Sequence, residues 1–67
     1  MDITVNSKKR SFENAKTVKE ILNELNIKSE NGIAVAVNKS VITKSDWDDF
    51  ELKENDSMLL IQATQGG

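Results

Sequence analysis

Thr17-Val18-Lys19-Glu20-Ile21-Leu22-Asn23-Glu24-Leu25 decides the fold, because here the apolar spacing changes from the alternation of a strand to the period of a helix. Thr17 and Glu20 stand at the spacing of a capping box, in which the Thr hydroxyl accepts from the Glu N–H and the Glu carboxylate returns to the Thr N–H. Val18, Ile21, Leu22 and Leu25 then recur at i, i+3, i+4 and i+7, which lays one apolar stripe along the helix. Asn26 suits the left-handed residue that ends such a helix, and it would bring Ile27 back against Leu22 in a Schellman cap. A helix with one apolar stripe must cover something. The flanking sequence predicts what.

Toward the N-terminus, Met1, Ile3 and Val5 alternate with Asp2, Thr4 and Asn6, the pattern of a half-buried strand. Asn6-Ser7-Lys8-Lys9 reads as a turn, and Arg10 to Glu13 as a weaker strand anchored by Phe12, so residues 1–13 form a hairpin. Toward the C-terminus, Lys28 to Gly32 is a polar loop closed by Asn31-Gly32, after which Ile33, Val35 and Val37 alternate with Ala34, Ala36 and Asn38. Asn38-Lys39-Ser40 reads as a tight reversal into a short strand, Val41-Ile42-Thr43. Ser45 is placed to cap one helical turn over Asp46 to Asp49, with Trp47 and Phe50 as its apolar residues. Glu54-Asn55-Asp56 is a turn in which Asn55 tolerates positive φ, and Met58 to Ala63 is the last strand. The expected architecture is α+β: a mixed sheet of four to five strands packed on one helix, over residues 1–62, with 63–67 as a flexible tail ending in Gly-Gly. The expected core is Ile3, Val5, Val18, Ile21, Leu22, Leu25, Val35, Val37, Met58 and Leu60.

Composition narrows the chemistry. Sixty-seven residues make one domain, with little room for an enclosed active site. Cys and His are both absent, which removes thiolate nucleophiles, the commonest general base and the usual zinc ligands, so an independent catalyst is not expected. A net charge of -2 argues against a surface built for nucleic-acid phosphates. The longest apolar runs, Ile33 to Val37 and Met58 to Ile61, are too short to span a bilayer, and no basic, apolar leader opens the chain, so a soluble cytoplasmic protein is expected. Asp46, Asp48, Asp49 and Glu51 fail the calcium-loop template, because Phe50, Glu51 and Ser57 occupy positions that need a ligand, a glycine and a bidentate glutamate. They read as a solvated acidic face, and Lys8-Lys9-Arg10 as protection of a sheet edge. Trp47 reads as the end of the core rather than a partner anchor.

Two features ask for a function. If Met58 and Leu60 face the helix, Leu59, Ile61 and Ala63 face away, opposite Ala34 and Ala36, as an apolar strip that nothing in the chain is left to cover. That strip leads into Ala63-Thr64-Gln65-Gly66-Gly67. A glycyl carboxylate there is a poor electrophile until another protein activates it, and glycines without Cβ let the backbone thread a narrow channel. Extended, these residues would reach about 16 Å at roughly 3.3 Å per residue. For an arbitrary chain, Gly-Gly at the end is only a frayed terminus.

In its opening strand, TVKEILNEL, AVAVN ending at Asn38, the Val41 to Trp47 connection, Asp56 before the last strand and the closing ATQGG, the whole chain resembles the ThiS sulfur carriers of bacterial thiamine biosynthesis, within the ubiquitin-like β-grasp group. It departs from that pattern at Thr43, where proline is frequent, and at Asn55, where glycine is usual. The resemblance implies that a ThiF-type adenylyltransferase uses ATP and magnesium to convert the Gly67 carboxylate to an acyl-adenylate. A sulfur donor protein then yields a Gly67 thiocarboxylate for a ThiG-type thiazole synthase. On this reading the chain binds no cofactor or metal, has no catalytic residue and is a monomer when free. Gly66 and Gly67 are the reactive terminus, and Leu59, Ile61, Ala63, Thr64, Gln65, Ala34 and Ala36 meet the partners. With no Cys, any sulfur carried must be held at the terminus. A molybdopterin-type carrier, a ubiquitin-like protein modifier and a non-catalytic interaction module remain alternatives.

Overall fold

The computed structural model describes residues 1–27 and 32–62. The expected loop residues 28–31 and the tail 63–67 lie outside them. In chain order the elements are β1 (Asp2–Val5), β2 (Lys8–Ser11), α1 (Val18–Glu24), β3 (Ile33–Val37), β4 (Ser40–Ile42), a short 3-10 helix (Lys44–Asp46) and β5 (Ser57–Gln62). The strands form one five-stranded sheet in the order β2-β1-β5-β3-β4. β1 and β5 run parallel, and every other neighbouring pair is antiparallel, so the sheet is mixed as expected.

The helix ends are closed as the sequence predicts. The Glu20 N–H donates to Thr17 Oγ1 at 3.2 Å, and Glu20 Oε1 accepts from the N–H groups of Thr17 at 3.0 Å and Lys16 at 2.8 Å. Those backbone donors, Lys16 first, hold the Glu20 carboxyl below the usual glutamate range. The next two orphan donors go outside the helix, Val18 N–H to the Phe50 carbonyl and Lys19 N–H to the Trp47 carbonyl, both at 3.0 Å. At the other end Asn26 takes φ 61°, and the N–H groups of Ile27 and Asn26 donate to the carbonyls of Leu22 and Asn23, the paired bonds of a Schellman motif.

The core is Ile3, Val5, Phe12, Ala15, Val18, Ile21, Leu22, Val35, Val37, Ile42, Trp47, Leu52 and Met58. Two expected members, Leu25 and Leu60, are half-buried instead: Leu25 is the C-cap residue of α1, and Leu60 lies on β5 beyond its pairing with β1. Trp47 lies in the core and its Nε1–H donates to the Ile42 carbonyl at 3.0 Å, which satisfies its one polar atom. Leu52 was not expected there; its N–H donates to the Lys16 carbonyl at 2.8 Å, so the segment after the 3-10 helix is pinned to the entry of α1.

Several boundaries differ from expectation. The first turn is only Asn6-Ser7, at φ 50° and 70°, so Lys8 and Lys9 belong to β2 rather than to the turn. Positive φ at both central residues gives the twist that a tight antiparallel hairpin needs. Asn38-Lys39, at φ 51° and 73°, repeats the device between β3 and β4, which therefore starts at Ser40. The helical turn near Ser45 also begins earlier than expected, after Thr43, whose hydroxyl donates to Asp46 Oδ2 at 3.2 Å.

Candidate functional site

Parity along β5 places Met58 against the helix and turns Leu59 and Ile61 outward, where they are 48% and 53% exposed. The antiparallel register sets Leu59 opposite Ala36 and Ile61 opposite Ala34. Ala34 is exposed and Ala36 half-buried, so small side chains on β3 leave the two larger ones of β5 standing proud of the sheet. The expected strip is thus assembled in its described part. Its remaining member, Ala63, and the tail residues Thr64, Gln65, Gly66 and Gly67 lie outside the described residues.

Polar clips fix the strand that carries the strip. β1 pairs with β5 only at Thr4 to Ser57 and Val5 to Met58. Beyond that point the Asn6 turn takes over: its N–H donates to the Met58 carbonyl at 2.9 Å, and its Oδ1 accepts from the Leu60 N–H at 2.8 Å. One asparagine therefore continues the ladder past the end of β1. At the root of β5, Asn38 Oδ1 accepts from the Ser57 N–H and Asn38 Nδ2 donates to Asp56 Oδ1, both at 3.0 Å. Asp56 Oδ2 in turn accepts from the Lys53 N–H at 2.8 Å, closing the turn that contains Asn55 at φ 71°. Asn38 and Asp56 thus lock the register on which the outward face of Leu59 and Ile61 depends.

The sequence reading missed one residue of this face. Val41 on β4 is 73% exposed and pairs with Ala36, which puts Val41, Ala36 and Leu59 in one row across three strands. The signal was available: a two-residue reversal at Asn38-Lys39 sets Val37 opposite Ser40 and hence Ala36 opposite Val41.

Elsewhere the surface offers less. Lys8, Lys9 and Arg10 are exposed on β2, an edge strand, where cations discourage pairing with another chain. Asp46, Asp48, Asp49 and Glu51 are exposed, and among the described residues no group of three or more acidic, Cys or His side chains is arranged to hold a metal ion. No described helix is long and apolar enough to cross a membrane.

Among the described residues, sheet order, mixed pairing and one α-helix on one face define a ubiquitin-like β-grasp protein, with an apolar strip on the outer side of β5. The ThiS family model matches residues 1–67, and the chain belongs to that family: sulfur carriers of thiamine biosynthesis that are not themselves enzymes. A crystal structure of a thiamine biosynthesis protein (ThiS) from Geobacter metallireducens superposes with TM-score 0.83 at 26% identity, covering 100% of both chains. An NMR solution structure of a thiamine biosynthesis protein from Geobacter metallireducens gives TM-score 0.80 at 26% identity, covering 100% of this chain and 88% of the other. No curated protein matches the sequence.

Proposed function

We propose that residues 1–62 are the holder and 63–67 the working tail of a carrier whose sulfur sits on Gly67, and that it serves thiazole formation. The observation that carries this reading is the full-length family match of a chain that contains no Cys, so sulfur has to be held outside the side chains. A ThiF-type adenylyltransferase supplies ATP and magnesium. The Gly67 carboxylate attacks the α-phosphorus of ATP, pyrophosphate leaves, and the carbonyl becomes an acyl-adenylate. A sulfur nucleophile at the oxidation level of hydrosulfide, delivered by a donor protein, then adds to that carbonyl and displaces AMP, leaving a thiocarboxylate. A ThiG-type synthase receives it, and the need for ATP suits a cytoplasmic carrier that is monomeric between encounters.

This chain's own contributions are positioning and exclusion. Leu59 and Ile61, with Ala34 and Ala36, supply apolar area for docking, while Ala63, Thr64 and Gln65 carry Gly66 and Gly67 into the partner's site. Gly66 is suited to that passage because a side chain would both restrict the backbone and crowd the channel. The test is pyrophosphate exchange catalysed by the cognate adenylyltransferase. Removing Gly67, or changing Gly66→Val, should abolish or strongly reduce exchange while leaving the circular dichroism spectrum unchanged. Full exchange by the chain lacking Gly67 would refute the reading.

A further inference from the structure

β5 is held unevenly along its length. On one flank β3 pairs with it from Met58 to Gln62. On the other, β1 pairs with it only at Ser57 and Met58, so from Leu59 to Gln62 no strand pairs on that flank. The helix side gives this end little cover either, because a hollow of about 330 Å³ opens there, lined by Asn6, Ile27, Ile33, Leu60 and Gln62. On the opposite side Leu59 and Ile61 are exposed. From the strandless flank the Leu60 N–H is met by Asn6 Oδ1 at 2.8 Å.

The form of that bond follows from the parallel ladder it completes. The Thr4 N–H donates to the Asp56 carbonyl at 3.0 Å and the Asn6 N–H to the Met58 carbonyl at 2.9 Å. The next bond of such a ladder would run from the Leu60 N–H to the main-chain carbonyl of Asn6. Asn6 has already entered the hairpin turn at φ 50°, and its side-chain carbonyl takes that place. The position therefore needs two properties together, a backbone that tolerates positive φ and an acceptor oxygen on Cγ. Asn and Asp supply both, and Gly supplies only the first.

We propose that Asn6 is a positioning residue for the activation of Gly67: by completing the ladder at Leu60, its side chain fixes the direction in which β5 hands the chain on to residues 63–67. This rests on the proposed acyl-adenylate chemistry at the terminus. Seven residues follow Leu60, about 23 Å if extended at ~3.3 Å per residue. A swing of about 10° at Leu60 then displaces the terminal carboxylate by roughly 4 Å, more than the ~3 to 3.5 Å over which a reacting atom must meet its target. The outward face does not depend on this bond in the same way, since Leu59 and Ile61 are held by their pairing with Ala36 and Ala34 on β3. Losing the bond should leave docking nearly intact and lower the fraction of docked carriers whose carboxylate is aligned with the α-phosphorus.

The experiment is steady-state pyrophosphate exchange with the cognate adenylyltransferase at varied carrier concentration, for the wild type, Asn6→Gly, Asn6→Asp and Thr17→Ala, with amide hydrogen exchange at Leu60 measured on the same free proteins. Asn6→Gly keeps the turn and removes the acceptor. It should expose the Leu60 amide and lower kcat about fivefold, the equivalent of one ordinary hydrogen bond, with KM for the carrier little changed. Asn6→Asp keeps an acceptor in the same place and should restore both readings. Thr17→Ala removes a hydrogen bond at the helix entry, away from the tail, and should leave kcat alone, which separates positioning from general stability. A wild-type kcat for Asn6→Gly would overturn the inference, as would an equal fall for Thr17→Ala or a fall with the Leu60 amide still protected. A loss confined to KM would make Asn6 a docking residue and also overturn it. No exchange by the wild type would overturn the activation reading itself, and is separable because it precedes any comparison of variants.

Discussion

Met58 and Ile61 are apolar residues of similar size on the same strand, yet the first is 1% exposed and the second 53%. What separates them is parity and cover. Met58 points to the face that α1 packs on, with Val5 beside it on β1 and Val37 on β3. Ile61 points to the opposite face, where its cross-strand partner is Ala34, and on its other flank β1 has already ended. Apolar character alone would have put both in the core. One side of β5 is packed under α1 and the other is open, as the proposed docking requires, so substitutions on the two sides should fail in different ways.

The largest effect on stability is expected on the covered side. Met58→Ala should cost about 2 to 5 kcal/mol, measured by urea unfolding, because it opens a cavity beneath the helix. A loss below that range would mean that the sheet collapses onto the space. Thr17→Ala should cost ~1 kcal/mol by the same measurement, since it leaves the Glu20 N–H without its acceptor at the helix entry. On the open side, Ile61→Asp should stay within about 0.5 kcal/mol of wild type while weakening partner binding in calorimetric titration. A large loss of stability there would erase the distinction between the two faces.

The smallest effect sharpens the account of the helix entry. The backbone donors Lys16 and Thr17 hold the Glu20 pKa below its unfolded value, so its contribution is present at neutral pH and above. It is lost as pH falls through the lowered folded-state pKa, when the carboxylate that accepts those bonds becomes protonated. Glu20→Gln should therefore flatten the acid limb of the stability–pH curve slightly. An unchanged limb would show that the carboxylate charge contributes nothing.

Most of this division was legible in the sequence because it rests on local periodicity. The stripe of Val18, Ile21 and Leu22 fixed one layer, and the alternation over Met58 to Ile61 fixed which side of β5 met it. Less legible were the turns, for a physical reason. The chain has no Pro and only three Gly, and the positive φ values of its described turns fall on Asn6, Ser7, Asn26, Asn38, Lys39 and Asn55 as well as Gly32. Asparagine signals such a position weakly and serine or lysine hardly at all, so Lys8 and Lys9 looked as turn-like as Asn6 and Ser7. Leu52 was invisible because its burial depends on a tertiary bond to Lys16, far away in sequence. Val41 followed from the register, which only the exact length of the Asn38-Lys39 turn reveals.

The central claim is that the folded domain holds Gly67 for another protein to load with sulfur. Intact-mass and fragment-ion spectrometry tests it most directly, after incubation with ATP, magnesium, the cognate adenylyltransferase and a sulfide source. The account predicts that one oxygen of the chain is replaced by sulfur and that the change maps to Gly67 alone. Sulfur appearing elsewhere in the chain, or a chain lacking Gly67 that loads as fully as the wild type, would contradict it.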